Sequence, residues 1–413
     1  MDAVGLRLVF APGSTAATLA FALAGAGLGA VSGLLPGVHA NNFALLLAAV
    51  APSLPGPPAA VGAAMLAAGV VHTFLDVVPA LAFGVPDPAM AATALPGHRL
   101  VLAGRGREAL RLSALGSGLA VALSLPLAVP VTRAMVAAHP FLGRHLAVVL
   151  AVVVAALLST EGTLRATLAG VVVLSLAAVL GLLTLDLSPP APLPVGGMLA
   201  PLFAGLFGAP VLIDAAEGDG VPPQGDAAVS LPPRTVGATA LAGTVGGAVV
   251  GYLPGVSAAV AAVLSLPAIP GEAGDRGYLV ATSGANTATT VFALFALAAL
   301  GTPHTGVLVA LERASVPRPL STLVAVVVLG SVVGFALVPR AGDVYLRVVG
   351  RLSPLRVSAA ILSLLVAVSW LFAGGVGVAV FAVAAALGLV PPRLGTRRVY
   401  LMGVLLGPLV LGG

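Results

Sequence analysis

Residues 33–38 read Gly-Leu-Leu-Pro-Gly-Val, and residues 251–256 read Gly-Tyr-Leu-Pro-Gly-Val. The second motif begins 251 − 33 = 218 positions after the first. A further match follows at an offset of 303 − 86 = 217, since Gly-Thr-Pro at 301–303 is similar to Gly-Val-Pro at 84–86. Two halves of an apolar chain that Pro-Gly interrupts at corresponding places are the usual sequence indication of a transporter's binding site.

The composition of the 413-residue chain indicates a membrane protein. It is 59% hydrophobic and 8% charged, whereas a soluble domain carries about 25% charged residues. Such a chain cannot cover its surface with polar groups in water. It contains no cysteine, which excludes disulfides and thiolate metal sites. No run of its arginines is dense enough to bind nucleic acid.

We predict an all-α integral membrane protein that crosses the bilayer several times and contains two inverted repeats, residues 1–195 and 196–413. Each repeat is expected to hold a re-entrant hairpin at its Pro-Gly break. The apolar segments that follow the breaks, 39–54 and 256–269, are too short to span the membrane alone, since a spanning helix needs about 20 residues.

Arginine-rich segments set the expected orientation in the cell membrane. By the positive-inside rule, the loops 85–109, 340–356 and 392–398 lie in the cytoplasm. The same count puts 214–236 inside and 302–317 outside. Because 302–317 corresponds to part of the first of these loops, the two halves are expected to have opposite orientations.

The motifs around the breaks resemble those of one transporter family. Residues 36–42 (Pro-Gly-Val-His-Ala-Asn-Asn) resemble the motif that opens the large permease of tripartite tricarboxylate transporters, called TctA. Residues 84–97 are similar to that family's Pro-Gly-x-Pro-x-x-x-Ala-Thr-Ala-Leu-x-Gly signature. In the second half, residues 254–259 and 283–288 fall where the family has Pro-Gly-x-Gly-Ala-Ala and Glu-Ala-Ala-Asn-Asn-Ala. The variants at 39–42 and 283–286 resemble its archaeal branch.

This resemblance implies secondary transport of a small organic anion, a carboxylate, coupled to a Na⁺ or H⁺ gradient. It also implies two kinds of partner, an extracellular binding protein and a small permease subunit, while assembly into a homo-oligomer stays open. No cofactor is expected, with Na⁺ considered only as a coupling ion. The alternative is a membrane enzyme or a passive channel for a small polar ligand. A channel would pass its ligand without counter-ion dependence, and an enzyme would convert it.

The two breaks and the polar residues near them form the expected substrate site. Proline frees backbone groups, and half-helix N-termini can face an anion. Amides and hydroxyls can donate to a carboxylate. The alternative for the Pro-Gly breaks is a tight turn between two helices, and the alternative for the polar side chains is interhelical hydrogen bonding. Pro36, Asn41, Asn42, Pro254 and Asn286 are expected to converge on one polar cavity at mid-depth. The full set is Pro36, Gly37, His39, Asn41, Asn42, Pro254, Gly255, Ser257, Ser283, Asn286 and Thr287.

Asp76 lies in the apolar run 70–84. An intramembrane carboxylate costs about 2.5–3.5 kcal/mol on insertion scales and is a functional candidate. His72, four residues earlier, would share its helical face. A proton or sodium relay and a purely structural pair are both open interpretations. Since Ala293 occupies the equivalent place in the second half, an ion site would be asymmetric. Its expected members are His72, Thr73, Asp76, Thr289 and Thr290.

The other charged side chains are expected at helix ends, most of them in water. They include Asp87, His98, Glu108, Glu161, Asp186 and Glu312. An intramembrane aspartyl protease would need two aspartates at the reaction site, and no apolar span carries a second one where the repeat would place it beside Asp76.

Overall fold

The computed structural model describes residues 12–36, 43–44, 47–48, 50–83, 94–193, 197–216, 220–226, 228–253, 256, 258–265, 268–315, 317 and 319–411. Within them the structure is helical, and no β-strand occurs. The α-helices are α1 (Pro12–Leu34), α2 (Pro58–Leu75), α3 (Val77–Phe83), α4 (Ala94–Leu102), α5 (Gly106–Arg144), α6 (Leu146–Ser159), α7 (Leu164–Thr184), α8 (Leu199–Phe203), α9 (Ala209–Ala216), α10 (Pro233–Val250), α11 (Ala258–Ser265), α12 (Gly274–Leu300), α13 (Gly306–Arg313), α14 (Leu320–Val349), α15 (Pro354–Gly388), α16 (Val390–Leu394) and α17 (Gly403–Leu411). Short 3-10 turns cover Ala51–Ser53, Gly271–Ala273 and Arg398–Met402, and a π-helical turn covers Ala204–Gly208.

Eight helical stretches in the described part of the chain are long and apolar enough to cross a membrane, judged by length and composition. They are Pro12–Leu34, Pro58–Phe83, Gly106–Arg144, Leu164–Thr184, Leu199–Ala216, Gly271–Leu300, Leu320–Val349 and Pro354–Leu394. The second of them, which joins α2 and α3, is almost entirely buried. The prediction of an all-α, multi-pass membrane protein is therefore confirmed.

The connection between α14 and α15 is shorter than expected. We predicted a loop over 340–356, but α14 continues to Val349 and α15 begins at Pro354. Within this helix Asp343 pairs with Arg347 one turn later, at 3.1 Å, and such pairs add a few tenths of a kcal/mol to helix stability. The prediction of a loop is thus wrong for most of this range.

Helices α1 and α2 pack in close contact along three glycines spaced four residues apart. A methyl group added to Gly29 would overlap the carbonyl oxygen of Ala68. A methyl group on Gly33 would lie 3.0 Å from the carbonyl oxygen of His72. Small residues at such a contact let two backbones approach closely, as is common for helix pairs in membranes.

Helices α10 and α12 repeat this contact in the second half of the chain. A methyl group on Gly247 would lie 2.7 Å from the carbonyl oxygen of Ala285. The corresponding pairs are Gly25/Ala64 with Gly243/Ala281, Gly29/Ala68 with Gly247/Ala285, and Gly33/His72 with Gly251/Thr289. In every case the glycine shifts by 218 positions and its partner by 217, which are the offsets of the two sequence motifs.

The chain runs in opposite directions through the corresponding helices α2 and α12. A methyl group on Gly97 would contact both Leu81, near the end of α3, and Leu279, in the second turn of α12. The end of the α2–α3 stretch therefore lies beside the start of α12. Helix α5, from the first half, packs on α12 of the second half. Helix α14, from the second half, packs on α2 of the first half. Each half therefore supplies a helix that packs on the other half.

Arginine-rich segments from both halves meet at one end of the helices. Arg107 Nε donates to Asp343 Oδ1 at 2.6 Å, and Gly225 N–H donates to the Gly104 carbonyl oxygen at 2.8 Å. These bonds bring parts of the segments 85–109, 340–356 and 214–236 to the same end of the protein. This agrees with the prediction that all three segments lie on one side of the membrane. We call this end the arginine face, defined by Arg99, Arg105, Arg107, Arg276 and Arg347.

Candidate functional site

The interior of the structure holds a buried carboxylate and an amide from opposite halves of the chain. Asp76, between α2 and α3, is 4% exposed. Asn286 of α12 donates through Nδ2 to Asp76 Oδ2 at 2.7 Å. The same nitrogen lies 3.4 Å from the carbonyl oxygen of Thr73. Asp76 therefore faces the protein interior beside a polar group.

This contact lies near the middle of α12. Asn286 follows Gly274, the first residue of α12, by 286 − 274 = 12 positions. At 1.5 Å per residue that is ~18 Å along the helix axis. Because α12 is 27 residues long, the bond lies near the middle of this helix.

His72 continues this polar centre one turn before Asp76. Its ring is fully buried, and its Nδ1 shares a 2.8 Å hydrogen bond with Ser32 Oγ of α1. The ring of Phe43 stacks on it, with centroids 6.5 Å apart and planes inclined by 16°. Gly33 permits the close approach of α1, because a methyl group there would lie 3.3 Å from the Asp76 backbone nitrogen.

Hydroxyl groups extend the polar surface of α12 on both sides of Asn286. Ser283 Oγ and Ser113 Oγ of α5 are 2.8 Å apart, and Thr289 Oγ1 donates to the Ala285 carbonyl oxygen at 2.7 Å. Thr287 is 1% exposed, and its Oγ1 has no hydrogen-bond partner among the described residues. A buried hydroxyl without a partner is costly, so this group is one that a ligand could satisfy.

The structure places part of the predicted site on these buried helices. Pro36 is buried in the turn that follows α1. The predicted residues that are buried on α2, α12 and the turn between α2 and α3 are His72, Thr73, Asp76, Ser283, Asn286, Thr287, Thr289 and Thr290. Seven others lie outside the described residues: Gly37, His39, Asn41, Asn42, Pro254, Gly255 and Ser257. Convergence of the two Pro-Gly breaks on one cavity stays a prediction.

A second buried carboxylate lies at the arginine face and corrects the expectation that Glu108 is solvated. Glu108, in the first turn of α5, is 1% exposed. Its Oε1 accepts from the Ser230 N–H at 3.0 Å, the Ser230 hydroxyl at 2.7 Å and Arg276 Nε at 2.9 Å. Its Oε2 accepts from Arg105 Nε at 2.6 Å. These four donors replace water, which is why the carboxylate can be buried.

Replacing Glu108 with glutamine keeps the volume but removes the charge facing Arg276 and Arg105. We expect the free energy of unfolding to fall by roughly 2–3 kcal/mol, less than the ~3–5 kcal/mol of a fully buried pair, because both arginines are partly exposed. Thermal denaturation of the detergent-solubilised protein measures the change. Glu312→Gln, at an exposed position, is the control and should stay within about 0.5 kcal/mol of the parent. Equal losses in the two variants would contradict this account.

Sequence reasoning missed several of these residues. Arg105, three positions before Glu108, was an available signal, because residues three apart are neighbours on a helix surface. Glu161 is a similar case, since its side chain is 7% exposed and accepts from the Tyr400 hydroxyl at 2.9 Å. Nothing local marks Ser32, whose partner is 40 positions away.

These features define a multi-pass helical membrane protein whose halves meet at a buried polar centre. The chain belongs to the Tripartite tricarboxylate transporter TctA family, whose model matches residues 19–403. The resemblance read from the motifs is thereby confirmed. The match indicates a permease of the tricarboxylate-transporter type, in a family whose members work with a binding protein and a small subunit.

A relative in Methanocaldococcus jannaschii, described as an uncharacterized protein, is 36% identical over 100 residues. The matched stretch spans only 24% of this chain and 24% of that relative's length. No solved structure matches the chain.

Proposed function

We propose that the protein is a secondary transporter that moves a small organic anion, a carboxylate, in exchange for or together with H⁺ or Na⁺. The observation that carries this proposal is the 2.7 Å bond between Asp76 and Asn286. It joins a buried ionisable group of the first half to an amide of the second half. Binding of a cation to Asp76 would neutralise the carboxylate in this bond. Any movement of one half against the other would have to change the same bond.

The proposed substrate site lies beside this bond, between the two Pro-Gly breaks. Both described ends of the first break approach the same part of the protein, since Gly33 packs against Asp76 and Phe43 stacks on His72. Thr287 adds a buried hydroxyl without a described partner. In this proposal the other contacts come from Gly37, His39, Asn41, Asn42, Pro254, Gly255 and Ser257, with Pro36, Ser283 and Asn286.

Two inverted repeats, residues 1–195 and 196–413, are proposed as the basis of alternating access, each with a re-entrant hairpin. The glycine contacts recur at the 218-residue offset of the motifs, and α2 and α12 run in opposite directions. Both observations support repeats related by an axis in the membrane plane. Such repeats commonly hold the substrate near mid-membrane, and transport follows from movement of one unit against the other.

Coupling is proposed to centre on Asp76, assisted by His72, Thr73, Thr289 and Thr290. A cation that binds Asp76 neutralises it, and a neutral group is less costly than a charged one in the bilayer interior. The equivalent position in the second half is Ala293, which is fully buried and cannot carry charge. The proposed ion site therefore has its charged group in the first half of the chain only.

The arginine face is proposed to be cytoplasmic, in the cell membrane, because arginine excess marks that side. An extracellular binding protein would then deliver substrate to the opposite face. A small permease subunit is proposed as a second partner, by analogy with other members of the family.

A thermal-shift screen of the purified protein tests this function. A ligand that binds only the folded state raises its apparent stability, by ~2.7 kcal/mol at a concentration of 100 times its Kd. We expect citrate or a smaller carboxylate to raise the melting temperature, with a shift that depends on Na⁺ or pH. Asn286→Ala should fold but lose the shift. A screen in which sugars or amines stabilise the protein and no carboxylate does would contradict the proposal.

A further inference from the structure

We propose that Arg276 and the cavity beside it form a second carboxylate-binding site, at the arginine face and separate from the centre around Asp76. The choice of a carboxylate as the anion rests on the proposed function. The cavity, its donors and its position do not depend on it.

The cavity lies between the segment before α10 and the start of α12. Its volume is about 350 Å³. Polar groups of Arg276, Ser230, Thr235 and Glu272 line it together with apolar groups such as those of Leu231 and Pro232. It therefore has room for a small organic acid, and its wall provides both polar and apolar groups.

Arg276 keeps most of its hydrogen-bonding capacity for this cavity. Its Nε–H donates to Glu108, whereas neither Nη atom forms a hydrogen bond with any described residue. A guanidinium group carries five N–H donors, so four of them remain on the two Nη atoms. The side chain is 25% exposed. The planar pair of Nη groups is the part of arginine that binds a carboxylate through two parallel hydrogen bonds.

Glu108 positions Arg276 and is not itself open to displacement. Its two oxygens already accept four hydrogen bonds, from Ser230, Arg105 and Arg276. Because Arg105 offsets its charge as well, Arg276 is not fully neutralised and can attract an anion. Glu272 is the opposing influence, since it lines the same cavity and repels a carboxylate.

Helix α12 carries both the arginine of this cavity and the amide of the buried centre. Arg276 and Asn286 lie ten positions apart on α12, which is ~15 Å along the helix axis. Ser283, Thr287 and Thr290 lie on the same side of the helix, at intervals of seven, four and three residues. The second site is therefore separate from the centre around Asp76, at the arginine-face end of the same helix.

The absence of cysteine from the chain allows a direct test. Thr235→Cys places a single thiol in the cavity wall, where an uncharged reagent, methyl methanethiosulfonate, can label it in the full-length, detergent-solubilised protein. We expect citrate to slow this labelling, and sodium chloride of equal ionic strength to have much less effect. Ser353→Cys, at an exposed position outside the cavity, is the control, and its labelling should be unaffected by citrate.

Arg276→Gln in the Thr235→Cys background should raise the citrate concentration for half-protection by at least about tenfold, the factor that corresponds to ~1.4 kcal/mol. Glu272→Gln should lower the citrate concentration for half-protection, because it removes a charge that repels the carboxylate. This variant retains Arg276 and therefore tests the site even if Arg276→Gln fails to fold. Protection that persists in Arg276→Gln, or that Glu272→Gln leaves unchanged, would overturn the proposal. So would protection by inorganic phosphate and not by citrate, which would indicate a site for phosphate or lipid headgroups.

The labelling test and the transport function can fail independently. Protection of the cavity cysteine without carboxylate transport would refute the proposed function and leave this site in place. Transport without protection would refute this site alone.

Discussion

Asp76→Asn is expected to abolish gradient-driven carboxylate uptake and to leave the protein folded. Asparagine nearly keeps the shape of aspartate, and its amide oxygen can still accept from Asn286, which donates at 2.7 Å in the parent. The variant cannot bind a proton or hold Na⁺ by charge. Uptake into proteoliposomes under an imposed gradient should fall to the level of protein-free liposomes.

The comparison needs a variant with the same chemical change elsewhere. Asp226→Asn removes a carboxylate at an exposed position near the arginine face and should retain uptake. Size-exclusion profiles and melting temperatures establish that both variants are folded. Parent-like uptake by Asp76→Asn, with unchanged ion dependence, would assign Asp76 to structure alone.

Gly29→Val is expected to have the largest effect on stability. Its added Cβ would overlap the Ala68 carbonyl oxygen, and a backbone atom cannot move aside as a flexible side chain can. We expect a loss of at least ~3 kcal/mol, the upper end of the usual cost of overpacking. Helices α1 and α2 would be forced apart at the level that holds Ser32 against His72. Thermal denaturation and the yield of monodisperse protein measure this loss.

Gly27→Val is the matched control on the same helix. A methyl group at Gly27 meets no atom within 4 Å, and the change in helix propensity is the same at both positions. Gly27→Val should therefore alter stability by no more than about 0.5 kcal/mol. If both variants were destabilised equally, the cause would be the change in helix propensity and not the contact between α1 and α2.

Much of the fold could be read from the sequence because its signals are local. Composition indicated a helical membrane protein, and the Pro-Gly motifs indicated corresponding halves. The glycines of α1 and α10 carry the same 218-residue offset and could have predicted the two close helix contacts. The extent of α14 was misjudged, because charged residues mark the end of an apolar span and not the end of a helix, and α14 continues through them to Val349.

The partners within the site could not be read in the same way. Helical periodicity associates Asp76 with His72, but the donor to its carboxylate is Asn286, 210 positions away. That contact depends on how α2 and α12 cross, which no local pattern specifies. The burial of Glu108 likewise depends on Ser230 and Arg276, which reach it only after the second half has folded against the first.

Concentrative uptake by the unmodified protein tests the central claim most directly. Proteoliposomes containing the purified protein would be given radiolabelled carboxylate under an inward Na⁺ or H⁺ gradient. The account predicts accumulation above the external concentration, unchanged chemical identity of the label, and collapse to equilibrium when an ionophore dissipates the gradient. Equilibration that ignores the gradient would show a passive channel, and chemical conversion of the label would show an enzyme; either result would contradict the account.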